Sequence, residues 1–154
     1  MSKIEMMDDC SYLFGTIFIL ANRMDTLLQR EFKKFDITTK QWFLSIIIDN
    51  LFDNPPTIKE VAKEMGSSHQ NVKQVALKLE EKGLLTLERD PKDARATKLK
   101  LTEKSNEFGK LIREEGSMFH QKLFKDIDKD DLAIARKVIR TMLLHIDEMD
   151  DRKE

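Results

Sequence analysis

Residues 57–83 read TIKEVAKEMGSSHQNVKQVALKLEEKG, and the fold turns on where this stretch starts, bends and stops. Thr57 and Glu60 have the spacing of a capping box, in which the hydroxyl accepts from a backbone amide three residues on and the carboxylate reaches back. A short helix therefore starts there, and Gly66, able to take the left-handed conformation, closes it. Ser67 or Ser68 caps a second helix running from His69 to about Lys82, and Gly83 ends it in the same way. Two short helices joined by a glycine-containing turn of a few residues are the signature of a helix-turn-helix.

The pattern changes downstream. LLTLER (84–89) and ATKLKLT (96–102) alternate apolar with polar residues around the charged turn DPKDAR, and read as a β-hairpin. Upstream, Leu13, Phe14, Ile17, Phe18, Ala21, Met24, Leu27, Leu28 and Phe32 recur at helical spacing, which predicts a long amphipathic helix from Leu13 to Phe35. Thr38 and Gln41 form another capping box and start a helix through QWFLSIIIDNLF (41–52), too apolar to lie outside the core. DNPP (53–56) stops it, because proline lacks the amide hydrogen a helix needs.

Beyond Thr102 two more helices are expected. One spans Glu103 to Phe124, with Phe108, Leu111, Ile112, Phe119 and Leu123 apolar and a weak point at Gly116. The other runs from about Lys129 to Met149, with Leu132, Ala135, Ile139, Met142, Leu143 and Ile146 on one stripe. The fold class is thus mainly α with a small β-hairpin wing: a winged helix-turn-helix core over 37–102, with long helices in 1–36 and 103–154. These helices carry more apolar face than so small a core can cover, so they are expected to form a dimerisation region.

Composition narrows the function. The net charge is −1, but from Thr57 to Lys104 eleven Lys or Arg face eight Asp or Glu, a net of +3, against −4 for the rest. A basic middle between acidic ends fits a polyanionic partner at the helix-turn-helix. One cysteine excludes an internal disulfide, and three scattered histidines (His69, His120, His145) lack metal-ligand spacing, so no metal or other cofactor is expected. With no glycine-rich phosphate loop, nucleophile elbow or HExxH pair, the sequence does not read as an enzyme. No apolar run is long enough for a bilayer and the amino terminus lacks a basic-then-apolar pattern, so a cytoplasmic location without membrane contact is expected.

On the second short helix, Val72, Val75, Ala76 and Leu79 form the stripe that must face inward. A rotation of about 100° per residue then places Gln70, Asn71, Lys73, Gln74, Leu77 and Lys78 outward. Glutamine and asparagine can pair with the N6 and N7 edge of adenine, and Lys73 and Lys78 can reach guanine or phosphate. Ser68 and His69 open the helix, where backbone amides favour a phosphate. Leu77 suits a thymine methyl or packing against a neighbouring element.

The run PTIKEVAKEMGSSHQNVKQVALKLEEKGLLTLERDPKDARATKLKLTEKS (56–105) resembles the winged helix-turn-helix of MarR-type transcriptional regulators, nearly without gaps. The shared residues are the VA and G of the first helix and turn, V..V...LE.KGLL through the second helix and first strand, and R.P.D.R...L.LTE through the wing. The resemblance implies a homodimeric repressor or activator, of which repressor is the expectation, on a palindromic operator in double-stranded DNA, and the amides of the second short helix make the expected half-site A·T-leaning. It also implies release by a small phenolic ligand or by oxidation. It gives Arg95 a minor-groove role and Asp93 the bracing of that arginine and the wing, with Arg89, Lys92 and Lys98 on phosphates. Gln74 departs from the family, which often has arginine there, so the usual charged brace between helix and wing is in doubt. A winged helix used for protein contact is the alternative.

Two effector routes follow from the resemblance. Phe14, Phe18, Met24, Trp42 and Phe43 are candidates for lining an apolar ligand cleft, although such residues also make ordinary core. Cys10 stands near the lone redox cysteine of one family branch. That branch shows tyrosines where this chain has Thr39 and Trp42, and Asp8 and Asp9 disfavour a thiolate, so an inert, partly buried thiol is the competing reading.

Overall fold

The computed structural model describes residues 2–150. The chain divides into two compact units, Met1–Arg113 and Glu114–Glu154. In the first unit a 24-residue helix, α1 (Asp9–Phe32), is followed by α2 (Thr39–Leu51), α3 (Ile58–Met65) and α4 (His69–Glu81). A hairpin of β1 (Leu85–Arg89) and β2 (Thr97–Leu101) comes next, and then α5 (Glu103–Leu123), whose last turns enter the second unit. The second unit continues into α6 (Lys129–Met149).

The starts of α1 to α4 each follow from a named cap. Thr57 and Thr38 form the two expected capping boxes, with Glu60 and Gln41, and Ser68 accepts from the Asn71 amide at 3.1 Å. Such caps are each worth about 0.5–2 kcal/mol. α1 starts four residues before the apolar periodicity does, because Asp8 caps it. The Ser11 hydroxyl (2.7 Å) and amide (3.0 Å) both donate to the Asp8 carboxylate and hold it below the ordinary carboxylate range. The periodicity also overruns the other end: residues 33–35 tighten into a 3-10 turn, and Asp36 (φ 53°) stops the helix.

Gly66 (φ 63°) and Gly83 (φ 72°) close α3 and α4 by the same pattern. The Ser67 amide reaches the Ala62 carbonyl (2.9 Å) and the Gly66 amide that of Lys63 (3.2 Å); Leu84 to Leu79 (3.0 Å) and Gly83 to Glu80 (2.9 Å) repeat it. These paired bonds satisfy carbonyls that a helix end leaves open. Asp36 makes the same closure, through Ile37 to Phe32 and Asp36 to Lys33, without a glycine.

The core lies where α2, α3, α4 and the hairpin meet, around Leu44, Ile58, Val61, Val72, Ala76, Leu79, Leu85 and Leu99. Of the apolar run in α2, Leu44, Ile47 and Ile48 are buried, while Phe43 and Leu51 stay exposed. Elements outside 37–102 also feed this core. Phe32 of α1 stacks at a tilt on Trp42 (centroids 5.1 Å apart), and Phe108 of α5 meets Phe35 edge-on (6.0 Å) beside the buried Ile112. The strands pair antiparallel, Leu85 opposite Leu101 and Arg89 opposite Thr97. A third strip that the sequence does not announce joins them: Thr57 bridges Lys98, and the Leu99 amide donates to the Pro56 carbonyl at 2.8 Å.

Much apolar surface is left over. Phe14 and Phe18, an edge-on pair on α1, are 71% and 62% exposed, and on α6 Ile134, Leu143, Ile146 and Met149 are each at least 58% exposed. Monomeric soluble proteins rarely expose apolar groups in such density.

A candidate nucleic-acid interface

α4 has one buried stripe, Val72, Ala76 and Leu79, with Val75 half-buried at its side. That packing fixes the rotation of the helix, so Ser68, His69, Gln70, Asn71, Lys73, Gln74 and Lys78 are all exposed on the remainder. Leu77 is 41% exposed among them, an apolar spot on an amide-rich surface. Lys78 pairs with Glu81 at 3.5 Å in solvent, a link worth roughly 0.5 kcal/mol that an incoming phosphate can displace.

The wing loop, residues 90–96, is held by its own bonds. The Asp90 amide donates to the Ala96 carbonyl (3.0 Å), Ala96 to Asp93 (3.0 Å) and Asp93 to Asp90 (3.2 Å). The Asp90 carboxylate accepts the Lys92 amide at 2.9 Å, and the Asp93 carboxylate accepts the Arg95 amide at 3.0 Å. Asp93 therefore braces the backbone of Arg95 and leaves its guanidinium free to project. Arg89, Lys92 and Arg95 are exposed, and among the described residues none of them makes an ion pair. Lys98 differs, because it is half-buried and sits 3.7 Å from Asp90. Asp90, absent from the candidates of the sequence, still carries a local signal there: an aspartate ahead of proline is a turn-forming pair whose side chain bonds the backbone two residues on.

Helix and wing are joined by a brace that sequence reasoning also missed. The Glu80 carboxylate, on the penultimate residue of α4, accepts the Leu87 amide of β1 at 2.9 Å. It satisfies a strand amide on the side away from β2 and ties the two candidate DNA-reading elements together. Gln74 has no such role, so the helix-to-wing brace here is a carboxylate-to-backbone bond displaced along the helix.

The candidate effector residues are not drawn into one place. A shallow apolar groove of about 480 Å³ is lined by Ile4, Met7, Cys10, Ser11, Tyr12, Phe14, Gly15 and Ile19. Of the five proposed cleft residues only Phe14 lines it; Trp42 packs on Phe32, Phe43 is on the surface of α2, and Met24 is half-buried on α1. Cys10 is exposed, in the first turn of α1. Among the described residues no cluster of His, Cys, Asp or Glu could hold a metal ion, and no helix is long and apolar enough to cross a membrane.

A helix-turn-helix whose second helix turns a polar face outward, followed by a hairpin with a stiff charged tip, defines the winged-helix class of proteins. Residues 45–96, about a third of the chain, match the model of the MarR family. The solved structures it resembles extend the likeness to the whole fold. A MarR protein from Peptoclostridium difficile superposes with a TM-score of 0.78 at 19% identity, over 89% of this chain and 88% of that one. The S. aureus MepR structure, a complex with DNA, gives 0.75 at 20% identity over 91% and 99%. AbfR of Staphylococcus epidermidis gives 0.77 at 18% over 90% and 93%. No curated protein matches in sequence. These structural likenesses, all at 20% identity or less, show that the chain has the fold of those proteins.

Proposed function

We propose that the protein is a homodimeric, sequence-specific DNA-binding regulator, and that it acts as a repressor. The observation that carries this reading is the outward face of α4, where Gln70, Asn71, Lys73, Gln74 and Lys78 stand exposed because the opposite stripe is locked in the core. That face enters a major groove, its amides reading adenine edges, with Ser68 and His69 at a phosphate by the helix start. Arg95, on a loop already ordered by Asp90 and Asp93, enters the adjacent minor groove at little further cost in entropy, favoured where A·T pairs narrow it. Arg89, Lys92 and Lys98 supply phosphate contacts, Lys98 after exchanging Asp90 for the backbone. The DNA complex of S. aureus MepR, a protein of the same fold, supports the choice of partner.

Residues 1–36 and 103–154 form the dimer region in this reading, which accounts for the exposed apolar faces of α1 and α6. Two-fold symmetry then requires a pseudo-palindromic operator with half-site centres about 10 base pairs apart. An apolar or phenolic effector is part of the reading, with Phe14, Phe18, Met24, Trp42 and Phe43 as the residues to vary. Cys10 is exposed as a sensor needs, but the groove it lines offers no Lys, Arg or His to stabilise a thiolate, which disfavours redox control.

Replacing Gln70 or Gln74 with alanine tests the central assignment. Each variant is expected to relax base preference at one operator position while affinity for random duplex stays level. Equal losses on both duplexes, measured by titration, would make these residues phosphate contacts.

A further inference from the structure

Hydrogen bonds from distant parts of the first unit converge on the last turn of α4. The Lys82 ammonium donates to the Asp36 carbonyl and, at 2.9 Å, to the Gln41 side-chain oxygen. The Lys82 carbonyl in turn accepts from the Lys104 ammonium (2.8 Å), and the Gly83 carbonyl from the Thr102 hydroxyl (2.7 Å), which also caps the start of α5 through the Ser105 amide (3.2 Å). The connection between α1 and α2, the end of the wing and the start of α5 therefore all meet the carboxyl end of the helix that presents Gln70 and Gln74.

Gln41 is the one polar residue buried as a whole among the described residues. Burying an amide costs free energy unless its groups are bonded. Its oxygen is satisfied twice, by the Thr38 amide at 3.2 Å in the α2 capping box and by Lys82. Asp36, whose carbonyl takes the other Lys82 bond, holds a left-handed conformation that non-glycine residues adopt at a cost, where the chain changes direction between α1 and α2. The ammonium is thus directed at the elbow between the two helices, and it finds neutral oxygens there, not a carboxylate. A cation also suits the carboxyl end of α4, where the helix dipole is negative.

We propose that Lys82 is a positioning residue for DNA recognition: through Gln41 and the Asp36 carbonyl it sets the angle of α4 against the α1–α2 elbow. A movement of α1 at that elbow is passed through this link to the base-reading face. Apolar packing holds α4 sideways but is not directional, whereas these bonds fix the end of the helix as a pivot. α4 has 13 residues, about 20 Å of helix, so a 10° turn about that pivot moves its other end by about 3 Å. Base-edge hydrogen bonds do not survive such a shift. The inference rests on the DNA-binding reading above and adds to it a route by which events at α1 reach the operator.

The test compares affinity for the operator and for random duplex, at two salt concentrations, in the wild type, Lys82→Met, Lys82→Arg and Gln41→Leu, alone and with Lys82→Met. Lys82→Met is expected to weaken operator binding about tenfold, within the usual range of coupling between sites, with random-duplex affinity and its salt dependence unchanged. Lys82→Arg recovers part of the loss, and the double variant loses no more than Lys82→Met alone. Unchanged operator affinity per folded molecule overturns the proposal and leaves Lys82 a stabilising contact. A parallel loss on both duplexes, with the salt slope lower by about one, overturns it in favour of a phosphate contact. Where Lys82→Met folds poorly, Lys82→Gln, which keeps a donor, is judged by the same ratio. A wild type with no operator preference removes the DNA-binding reading and the inference together, and that result is visible before any variant is made.

Discussion

Arg95 shows what one residue contributes and how its neighbours prepare it. An arginine on a mobile loop loses ordering entropy on binding, but here Asp90 and Asp93 have already bonded the amides of Lys92 and Arg95. Arg95→Ala is expected to weaken operator binding by about 1–3 kcal/mol, the scale of one good specific contact, with thermal stability unchanged; a titration alongside a melting curve checks both. The sequence made the arginine and the turn legible because both are local. Asp93 was legible only through resemblance, and its bond runs to the backbone of Arg95. Glu80 was not legible at all, since its partner is a strand amide whose position depends on how α4 packs on β1. Gln41 was read as a cap, and its second bond to Lys82 needs the fold to bring residues 41 apart in sequence together.

Helices and strands were the most readable level, for a physical reason: their starts and stops are set by neighbours in sequence. The three capping boxes or caps at Thr38, Thr57 and Ser68, and the glycine closures at 66 and 83, stand where side-chain chemistry requires them. α1 was read from Leu13 to Phe35 because apolar periodicity marks a buried face, while Asp8 and Asp36, which set its true limits, are polar and lie outside that pattern. The strip at Pro56 and Thr57 escaped notice because it makes a single bridge and has no alternation of its own. Gly66→Ala is expected to cost about 1–2 kcal/mol, from forcing a side chain into the left-handed region. Space is not the issue, since an added Cβ there meets nothing within 4 Å. A chemical denaturation midpoint moved down at constant slope is the expected observation; an unmoved midpoint would mean that the turn relaxes out of its left-handed form.

For the whole molecule, the question is what covers the faces that one chain leaves bare. Phe14 and Phe18 on α1, and Leu143 and Ile146 on α6, expose more apolar surface than isolated soluble chains usually carry. A second copy is the proposed cover, and it turns one polar helix face into two related by symmetry. The sequence showed the surplus of apolar stripe but not its partner, because periodicity identifies a face and not what packs on it. Charge adds a condition: with a net of −1 overall, attraction to DNA is local to the basic middle of the chain, and binding should weaken steeply with salt. The most direct measurement is selection of bound duplexes from a random DNA pool by the purified protein at moderate salt, read by sequencing. Enrichment of a two-fold-symmetric, A·T-leaning motif with half-site centres about 10 base pairs apart is the expected result. A pool that stays random over a folded protein would contradict it, and would assign the exposed face of α4 and the wing to a protein partner.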